Sequence, residues 1–169
     1  MRVLITPRLA LDELTDADAN FLVALLNDPD FLRFIGDRGV RTETQALRYL
    51  ADGPCASYRR VGFGLWLVRR LDDDERLGIC GLLKRDTLDD VDLGFAFLPQ
   101  FRGQGYARES GAAVLAHARD VLGIARVVAI ASRDNHASAR VLEAVGLRFE
   151  RLVRLGVESP EVALFAPAT

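Results

Sequence analysis

The sequence has few of the residues that build disulfide frameworks, metal sites or membrane spans. Its two cysteines, Cys55 and Cys80, stand alone and match no disulfide, metal or redox spacing. It lacks the run of about eighteen apolar residues that a membrane-spanning helix needs. The first residues also lack the apolar stretch and cleavage site of a signal peptide. We therefore expect a cytoplasmic protein with no metal site and no membrane partner.

Positive charge is also limited. The 22 lysine and arginine residues are outnumbered by 24 aspartate and glutamate residues, which gives a net charge of -2. Such a balance argues against the broad basic face that binds nucleic acid, so we expect no nucleic-acid partner. The 169 residues are most simply one domain, residues 1–169, because this length can bury a core without metal or disulfide support.

The hydrophobic period changes along the chain and predicts an α+β domain with a mixed sheet. Capping residues and a helical period predict helices at residues 15–26, 28–34, 42–51, 107–121 and 136–145. Apolar runs between polar turns predict strands at residues 9–11, 63–68, 77–83, 91–98, 126–131, 147–155 and 161–166. The helix between the strands at 91–98 and 126–131 implies that these two strands are parallel.

A glycine-rich segment joins the strand at 91–98 to the following helix; we call residues 102–108, Arg-Gly-Gln-Gly-Tyr-Ala-Arg, the glycine loop. Gly103 and Gly105 can adopt backbone angles that other residues avoid, so successive N–H groups can turn toward one anion. The helix that follows adds the positive end of its dipole, and Arg102 adds a full charge. The loop therefore predicts a phosphate-binding site.

Two common phosphate-binding motifs are excluded by missing residues. A Walker A loop needs a lysine after its last glycine, but the only lysine of this chain is Lys84, upstream of the loop. A dinucleotide fingerprint needs a third glycine where Arg108 stands, and it follows an early strand of a repeated βαβ series. The loop thus belongs to another kind of phosphate site.

Four segments carry a resemblance to a known family. They are Thr-Pro-Arg-Leu-Ala-Leu at residues 6–11, the strand and glycine loop at residues 92–107, Asp-Asn-His-Ala-Ser at residues 134–138 and Val-Leu-Glu-Ala-Val-Gly-Leu-Arg-Phe at residues 141–149. In this order and spacing they resemble the GNAT superfamily of N-acetyltransferases. Within it, they are most similar to the branch of ribosomal-protein N-terminal-alanine and antibiotic amine acetyltransferases.

That resemblance implies both a fold and an activity. The fold would be α+β, with a mixed, mostly antiparallel central sheet of six to seven strands, about four flanking helices, and two parallel strands splayed at the cofactor site. The activity would be acetyl transfer from acetyl-CoA to a primary amine, by direct attack in a ternary complex. The acceptor would be a protein N-terminus or a small molecule. A CoA-binding regulatory or interaction module that has lost turnover is the alternative.

The resemblance also implies which residues bind acetyl-CoA. The pyrophosphate would lie against Arg102, Gly103, Gln104, Gly105, Tyr106 and Ala107. The backbone of Phe97 and Leu98 would pair with the pantetheine arm, and Asn135 would hydrogen-bond to it. Splayed parallel strands suit this role because they leave backbone groups unpaired, and an extended amide-bearing arm can satisfy them as an added strand does.

Acetylation needs a neutral amine, although an alkyl amine is mostly protonated at neutral pH. Asp92 is our candidate base, at a strand position where many relatives carry a glutamate; a solvent-facing carboxylate is the alternative. A backbone N–H of the same strand would stabilise the oxyanion. The tyrosine that often donates a proton to the departing thiolate is replaced by Leu142. Ser138 is the remaining candidate donor, and a helix-capping serine is its alternative.

The acceptor is less constrained by the sequence. Aromatic side chains of the first half are candidates for an apolar acceptor pocket or for the core: Phe31, Phe34, Tyr58 and Trp66. Arg33, Arg38 and Arg41 are candidates for contacts to an acidic group or to the CoA 3′-phosphate. Exposed sheet edges and the final strand pair are compatible with a homodimer.

Overall fold

A mixed sheet of eight strands runs through the computed structural model, which describes residues 1–168. The strands are β1 (Arg2–Ile5), β2 (Leu9–Glu13), β3 (Leu65–Arg70), β4 (Arg76–Leu83), β5 (Val91–Phe97), β6 (Val127–Ser132), β7 (Leu147–Val153) and β8 (Val162–Pro167). Their order in the sheet is β1-β2-β3-β4-β5-β6-β8-β7. The helices are α1 (Ala19–Leu26), α2 (Pro29–Phe34), α3 (Glu43–Asp52), α4 (Pro54–Val61), α5 (Tyr106–Asp120) and α6 (His136–Ala144).

All neighbouring strands are antiparallel except β5 and β6. This parallel pair is joined only at Val91 with Val127 and at Asp92 with Val128. Beyond Asp92 the two strands diverge, which opens a gap in the sheet between the C-terminal half of β5 and β6. The predicted α+β class, the mostly antiparallel sheet and the splayed parallel pair are confirmed.

Residues 1–168 form eight strands and six helices, more than the six to seven strands and about four helices that we expected. Strand β1 has no fully buried residue, and its apolar run of three residues is shorter than the run of about four to eight by which strands are recognised. Helix α4 begins at Pro54, directly after α3. Its N-cap residue, Gly53, has no side chain that could cap the helix, so the usual sequence signal of a helix start is missing. Both elements therefore carry weak local signals.

The two faces of the sheet bury separate apolar clusters because successive side chains of a strand point to opposite faces. On β3, Trp66 packs with Val114 of α5, whereas its neighbour Leu67 packs with Leu22 of α1 and Leu50 of α3. The β5–β6 gap is thereby held between α5 on one face and the α1–α3 layer on the other. None of the helices formed by residues 1–168 has the length and hydrophobicity to cross a lipid bilayer.

Candidate active site

The glycine loop has the left-handed glycine conformations that the sequence predicts. Gly103 has φ 75° and Gly105 has φ 84°, and Gly105 is the cap residue of α5 without any capping side chain. The first helical hydrogen bond runs from the N–H of Glu109 to the carbonyl of Gly105, at 3.0 Å. The N–H groups of residues 103–108 have no hydrogen-bond partner within residues 1–168. Six consecutive donors are thus free at the positive end of a 15-residue helix.

Arg8 holds the outer side of this loop. Its Nη1 donates to the carbonyl of Gln104 at 2.9 Å, its Nε donates to Glu109 Oε1 at 2.7 Å, and its guanidinium lies 4.5 Å from the centre of the Tyr106 ring. Glu109 also accepts from the Thr6 hydroxyl at 2.5 Å. Partial burial alone would raise the pKa of Glu109, but hydrogen bonds from Thr6 and Arg8 hold it below its usual value. The geometry of the loop thus depends on contacts from residues near the start of the sequence.

Arg102 is already bonded to oxygen atoms of the protein. Its Nη2 donates to Asp28 at 2.5 Å, its Nη1 donates to Asp30 at 2.7 Å, and its Nε donates to the carbonyl of Phe97 at 3.0 Å. Two carboxylates therefore neutralise its charge. Arg102 thus joins the glycine loop to α2, in contrast to the phosphate contact that the sequence predicts.

The free edge of β5 belongs to Phe95 and Phe97. The N–H of Leu98 donates to the carbonyl of Leu77 on β4, and the carbonyl of Leu98 accepts from Phe101, each at 3.0 Å. Because backbone groups alternate in direction along a strand, the N–H groups of Phe95 and Phe97 point away from β4, into the gap. Of the two residues that the resemblance implies, only Phe97 keeps a free N–H there. Phe95 was not singled out from the sequence.

Two cavities meet in the gap between β5 and β6. The loop cavity has a volume of about 280 Å³ and is lined by the glycine loop, by α2 and by the start of α6. The inner cavity has a volume of about 500 Å³ and extends past β5 toward α3 and the β7–β8 turn. Both cavities are lined by the following residues: Phe31, Phe34, Ile35, Phe95, Ala96, Asn135 and Ser138. Seven of the nine predicted cofactor residues thus line one continuous cleft, whereas Leu98 and Gln104 line neither cavity.

Asn135 and Ser138 lie at the start of α6 and line both cavities. Asn135 caps the helix, because its Oδ1 accepts from the N–H of Ser138 at 3.2 Å. The Ser138 hydroxyl makes no hydrogen bond within residues 1–168, so it has no capping role there. Leu142, at the position of the missing tyrosine, is buried and lines the inner cavity. Ser138 is therefore the hydroxyl of α6 that borders both cavities.

Asp92 is buried at the point where β5 and β6 separate, and it lines the inner cavity. Its Oδ1 accepts from Arg85 Nε at 3.0 Å, whereas its Oδ2 is buried without any hydrogen-bond partner in residues 1–168. Burial raises the pKa of Asp92, and the positive charges of Arg85 and Lys84 offset only part of that effect. The solvent-facing alternative for Asp92 is wrong.

The other aromatic candidates separate into two groups. Phe31 and Phe34 line the cavities, but Trp66 is buried in the core and Tyr58 bonds to the N–H of Leu14 and the carbonyl of Leu65. Tyr49 of α3 lines the inner cavity and was missed, because nothing in the local sequence distinguishes a helix face that meets a cavity from one that meets the core. No group of three metal-ligating side chains occurs among residues 1–168.

Comparisons with known proteins agree with this geometry. Residues 8–148 match the model of the acetyltransferase (GNAT) domain. The chain is 26% identical over 155 residues to YoaA, an uncharacterized N-acetyltransferase of Bacillus subtilis, across 90% of this chain and 86% of YoaA. A GnaT-family acetyltransferase from Bordetella pertussis has a TM-score of 0.80 at 26% identity, over 99% of this chain and all of that one.

RimL, a ribosomal alpha-N-protein acetyltransferase solved in complex with coenzyme A, shares the fold. Its TM-score is 0.73 at 17% identity, over 98% of this chain and 97% of RimL. The family match spans the glycine loop, the β5–β6 gap and the start of α6, so it covers every element that lines the loop cavity. The chain therefore belongs to the GNAT acetyltransferase family and is an N-acetyltransferase.

Proposed function

We propose that the protein transfers the acetyl group of acetyl-CoA to a primary amine by direct attack in a ternary complex. One observation carries the proposal: six free backbone donors and an open strand edge lead along one cleft to a buried carboxylate with an unpartnered oxygen. The GNAT family uses acetyl-CoA, and the structural neighbour RimL was solved with coenzyme A. The acceptor would be a protein N-terminus or a small molecule.

The residues of the loop cavity fit the donor substrate. The pyrophosphate would accept hydrogen bonds from the free N–H groups of residues 103–108, at the start of α5. The pantetheine amides would pair with the backbone of Phe95 and Phe97, and the side-chain amide of Asn135 would contact the arm. A Cβ at Gly105 would lie 3.2 Å from Arg8 Nη2 and would require a strained left-handed backbone. These contacts support binding of one extended, anionic ligand.

The residues around the gap would carry the chemistry. Asp92 Oδ2 accepts the proton of the incoming ammonium, directly or through one water, while Arg85 holds the other oxygen in place. The N–H of Phe95 stabilises negative charge on the thioester oxygen during attack. The hydroxyl of Ser138 then donates to the departing thiolate sulfur. The bond from nitrogen to the carbonyl carbon forms first, and the bond between carbonyl carbon and sulfur breaks as the carbonyl re-forms. The second proton of the nitrogen passes to Ser138 and replaces the one given to sulfur.

Three expectations from the sequence also stay predictions: one domain over residues 1–169, a cytoplasmic location, and homodimer formation. Strands β1 and β7 form the two edges of the sheet within residues 1–168 and are the elements available for pairing with a second copy.

A panel of amines and peptide N-termini, each supplied with acetyl-CoA, tests the proposed function. Release of free CoA thiol is measured by a chromogenic reagent, and the acetylated product is identified by mass spectrometry. We expect thiol release that depends on the acceptor amine. Acetyl-CoA binding without transfer to any amine would instead favour the CoA-binding module.

A further inference from the structure

The charges that line the inner cavity are unequal. Three arginines, Arg33, Arg38 and Arg85, and one carboxylate, Asp92, contribute to its wall. Arg85 is paired with Asp92 at 3.0 Å, and Arg33 is paired with Asp134 at 3.2 Å. Arg38 has no ion pair within residues 1–168. The wall therefore carries one uncompensated positive charge.

Arg38 belongs to the loop between α2 and α3, which covers the inner cavity. Gly36 also lines this cavity, and a Cβ atom built on Gly36 would lie 3.5 Å from Nη1 of Arg38. The neighbouring carboxylate does not neutralise Arg38, because Asp37 is bound to Arg41 at 2.6 Å. Arg38 is an exposed residue at the wall of the cavity, and its guanidinium is free to bind an anion.

Tyr49 supplies a second donor to the same wall. It lines the inner cavity, and its hydroxyl makes no hydrogen bond within residues 1–168. Burial raises its pKa above 10.0, and the nearby charges of Arg38 and Arg85 offset only part of that rise. The hydroxyl therefore keeps its proton near neutral pH and can donate it in a hydrogen bond.

We propose that Arg38 and Tyr49 form a carboxylate subsite, and that the acceptor is a small amine of the amino-acid class that also carries a carboxylate. This inference rests on the proposed acetyl transfer. A guanidinium beside a hydroxyl donor suits a carboxylate, which accepts two parallel hydrogen bonds from arginine. The unpartnered Oδ2 of Asp92 suits the ammonium end. The free charge of Arg38 would repel a polycationic amine.

The size of the cavity supports a small acceptor. Its volume of about 500 Å³ lies within the range of small-molecule sites, about 300–1,000 Å³. Much of the remaining wall is apolar, including Ile79, Leu83 and Ile130, so an aliphatic amino acid is a suitable probe. Leucine, leucinamide and 3-methylbutylamine share one side chain. They carry a carboxylate, a carboxamide and a hydrogen, respectively, at the position of the carboxyl group.

The first experiment compares kcat/KM for these three acceptors at saturating acetyl-CoA. We expect the kcat/KM of the wild type to be about tenfold or more higher for leucine than for leucinamide. This factor corresponds to the free energy of one or two charge-assisted hydrogen bonds. The Arg38→Gln variant should lower that ratio by about tenfold, and Tyr49→Phe should lower it less. The ratio is compared between variants because the amines differ in basicity. Arg48→Gln, at an exposed position of α3, is the matched control and should leave the ratio unchanged.

A second measurement does not need turnover. N-acetylleucine should raise the melting temperature of the CoA-bound protein more than N-acetylleucinamide does, and Arg38→Gln should remove the difference. Equal leucine-to-leucinamide ratios in wild type and Arg38→Gln would overturn the subsite. A higher kcat/KM for carboxyl-blocked peptides would overturn the small acceptor. If no amine is acetylated but binding of N-acetylleucine still depends on Arg38, the proposed function is overturned and the carboxylate subsite is not.

Discussion

Replacing Asp92 with asparagine should make the protein more stable at pH 7 and slower as an enzyme. In the native state this carboxylate is buried, with one oxygen bound to Arg85 and the other without a partner. Burial raises its pKa above 3.8 despite Arg85 and Lys84, so folding stabilises the protonated form more than the ionised form. Asparagine has nearly the same shape and no charge. It removes the cost of burying the ion.

The gain in stability should depend on pH. The pKa of Asp92 is higher in the folded state than its unfolded value of 3.8. Such a carboxyl group contributes its full stability at pH values below 3.8, and this contribution is lost as the pH rises through the folded pKa. The advantage of Asp92→Asn over wild type should therefore be full above the folded pKa and shrink as pH falls toward 3.8.

The magnitude follows from the unpartnered Oδ2. A buried polar atom without a partner costs about 1–3 kcal/mol, and a charged one costs more. The asparagine amide remains unpartnered and the attraction of Arg85 is lost, so only the excess cost of the charge is recovered. We expect a gain of about 1 kcal/mol, or about 2–4 °C in melting temperature for a domain of this size. The kcat should fall by about 10²-fold or more, because a general base is lost.

Urea unfolding across pH, with kcat and acetyl-CoA affinity in parallel, tests this prediction. Asp18→Asn is the matched control, because Asp18 is also buried but both of its oxygens are bonded, to Arg76 and to the N–H of Thr15, each at 2.8 Å. That variant should lose about 1–2 kcal/mol and keep its rate. A loss of stability and an unchanged rate in Asp92→Asn would refute our account of Asp92.

Two further variants test neighbouring residues. Ser138→Ala should lower kcat by about tenfold or more with unchanged acetyl-CoA affinity, because its hydroxyl makes no structural bond within residues 1–168; a wild-type rate would leave Ser138 without a catalytic role. Arg102→Met should cost about 1.5–3 kcal/mol in urea unfolding, because it leaves the carboxylate of Asp28, with only 4% of its side chain exposed, without an ion-pair partner. If Arg102→Met instead weakens acetyl-CoA binding at unchanged stability, Arg102 is a phosphate ligand after all.

The features that the sequence predicts well depend on neighbours in the chain. Gly103 and Gly105 adopt positive φ angles because a loop entering α5 at this point requires them, and that requirement is visible within seven residues. The parallel β5–β6 pair follows from one helical crossover. Such features need no knowledge of distant contacts.

The side-chain partners in the site could not be predicted in the same way. Arg102 is bound to Asp28 and Asp30, which lie 74 and 72 residues away in the chain, so its direction depends on where α2 packs. The burial of Asp92 likewise depends on β6 and on Arg85, although the preceding acidic residues suggested a solvent-exposed position as well. Local composition indicates the residue types of a site, whereas packing decides which of them are already bonded.

The most direct test of the central claim is a thermal unfolding titration with acetyl-CoA. At a hundredfold excess over its dissociation constant, the ligand should add about 2.7 kcal/mol, which is about 5–10 °C here. Gly105→Glu should remove the shift by blocking the glycine loop. Gly62→Glu is its control, with φ 83° instead of 84° and open space around its Cβ, and should keep the shift. No shift in wild type, or an equal shift in Gly105→Glu, would contradict acetyl-CoA binding at this loop.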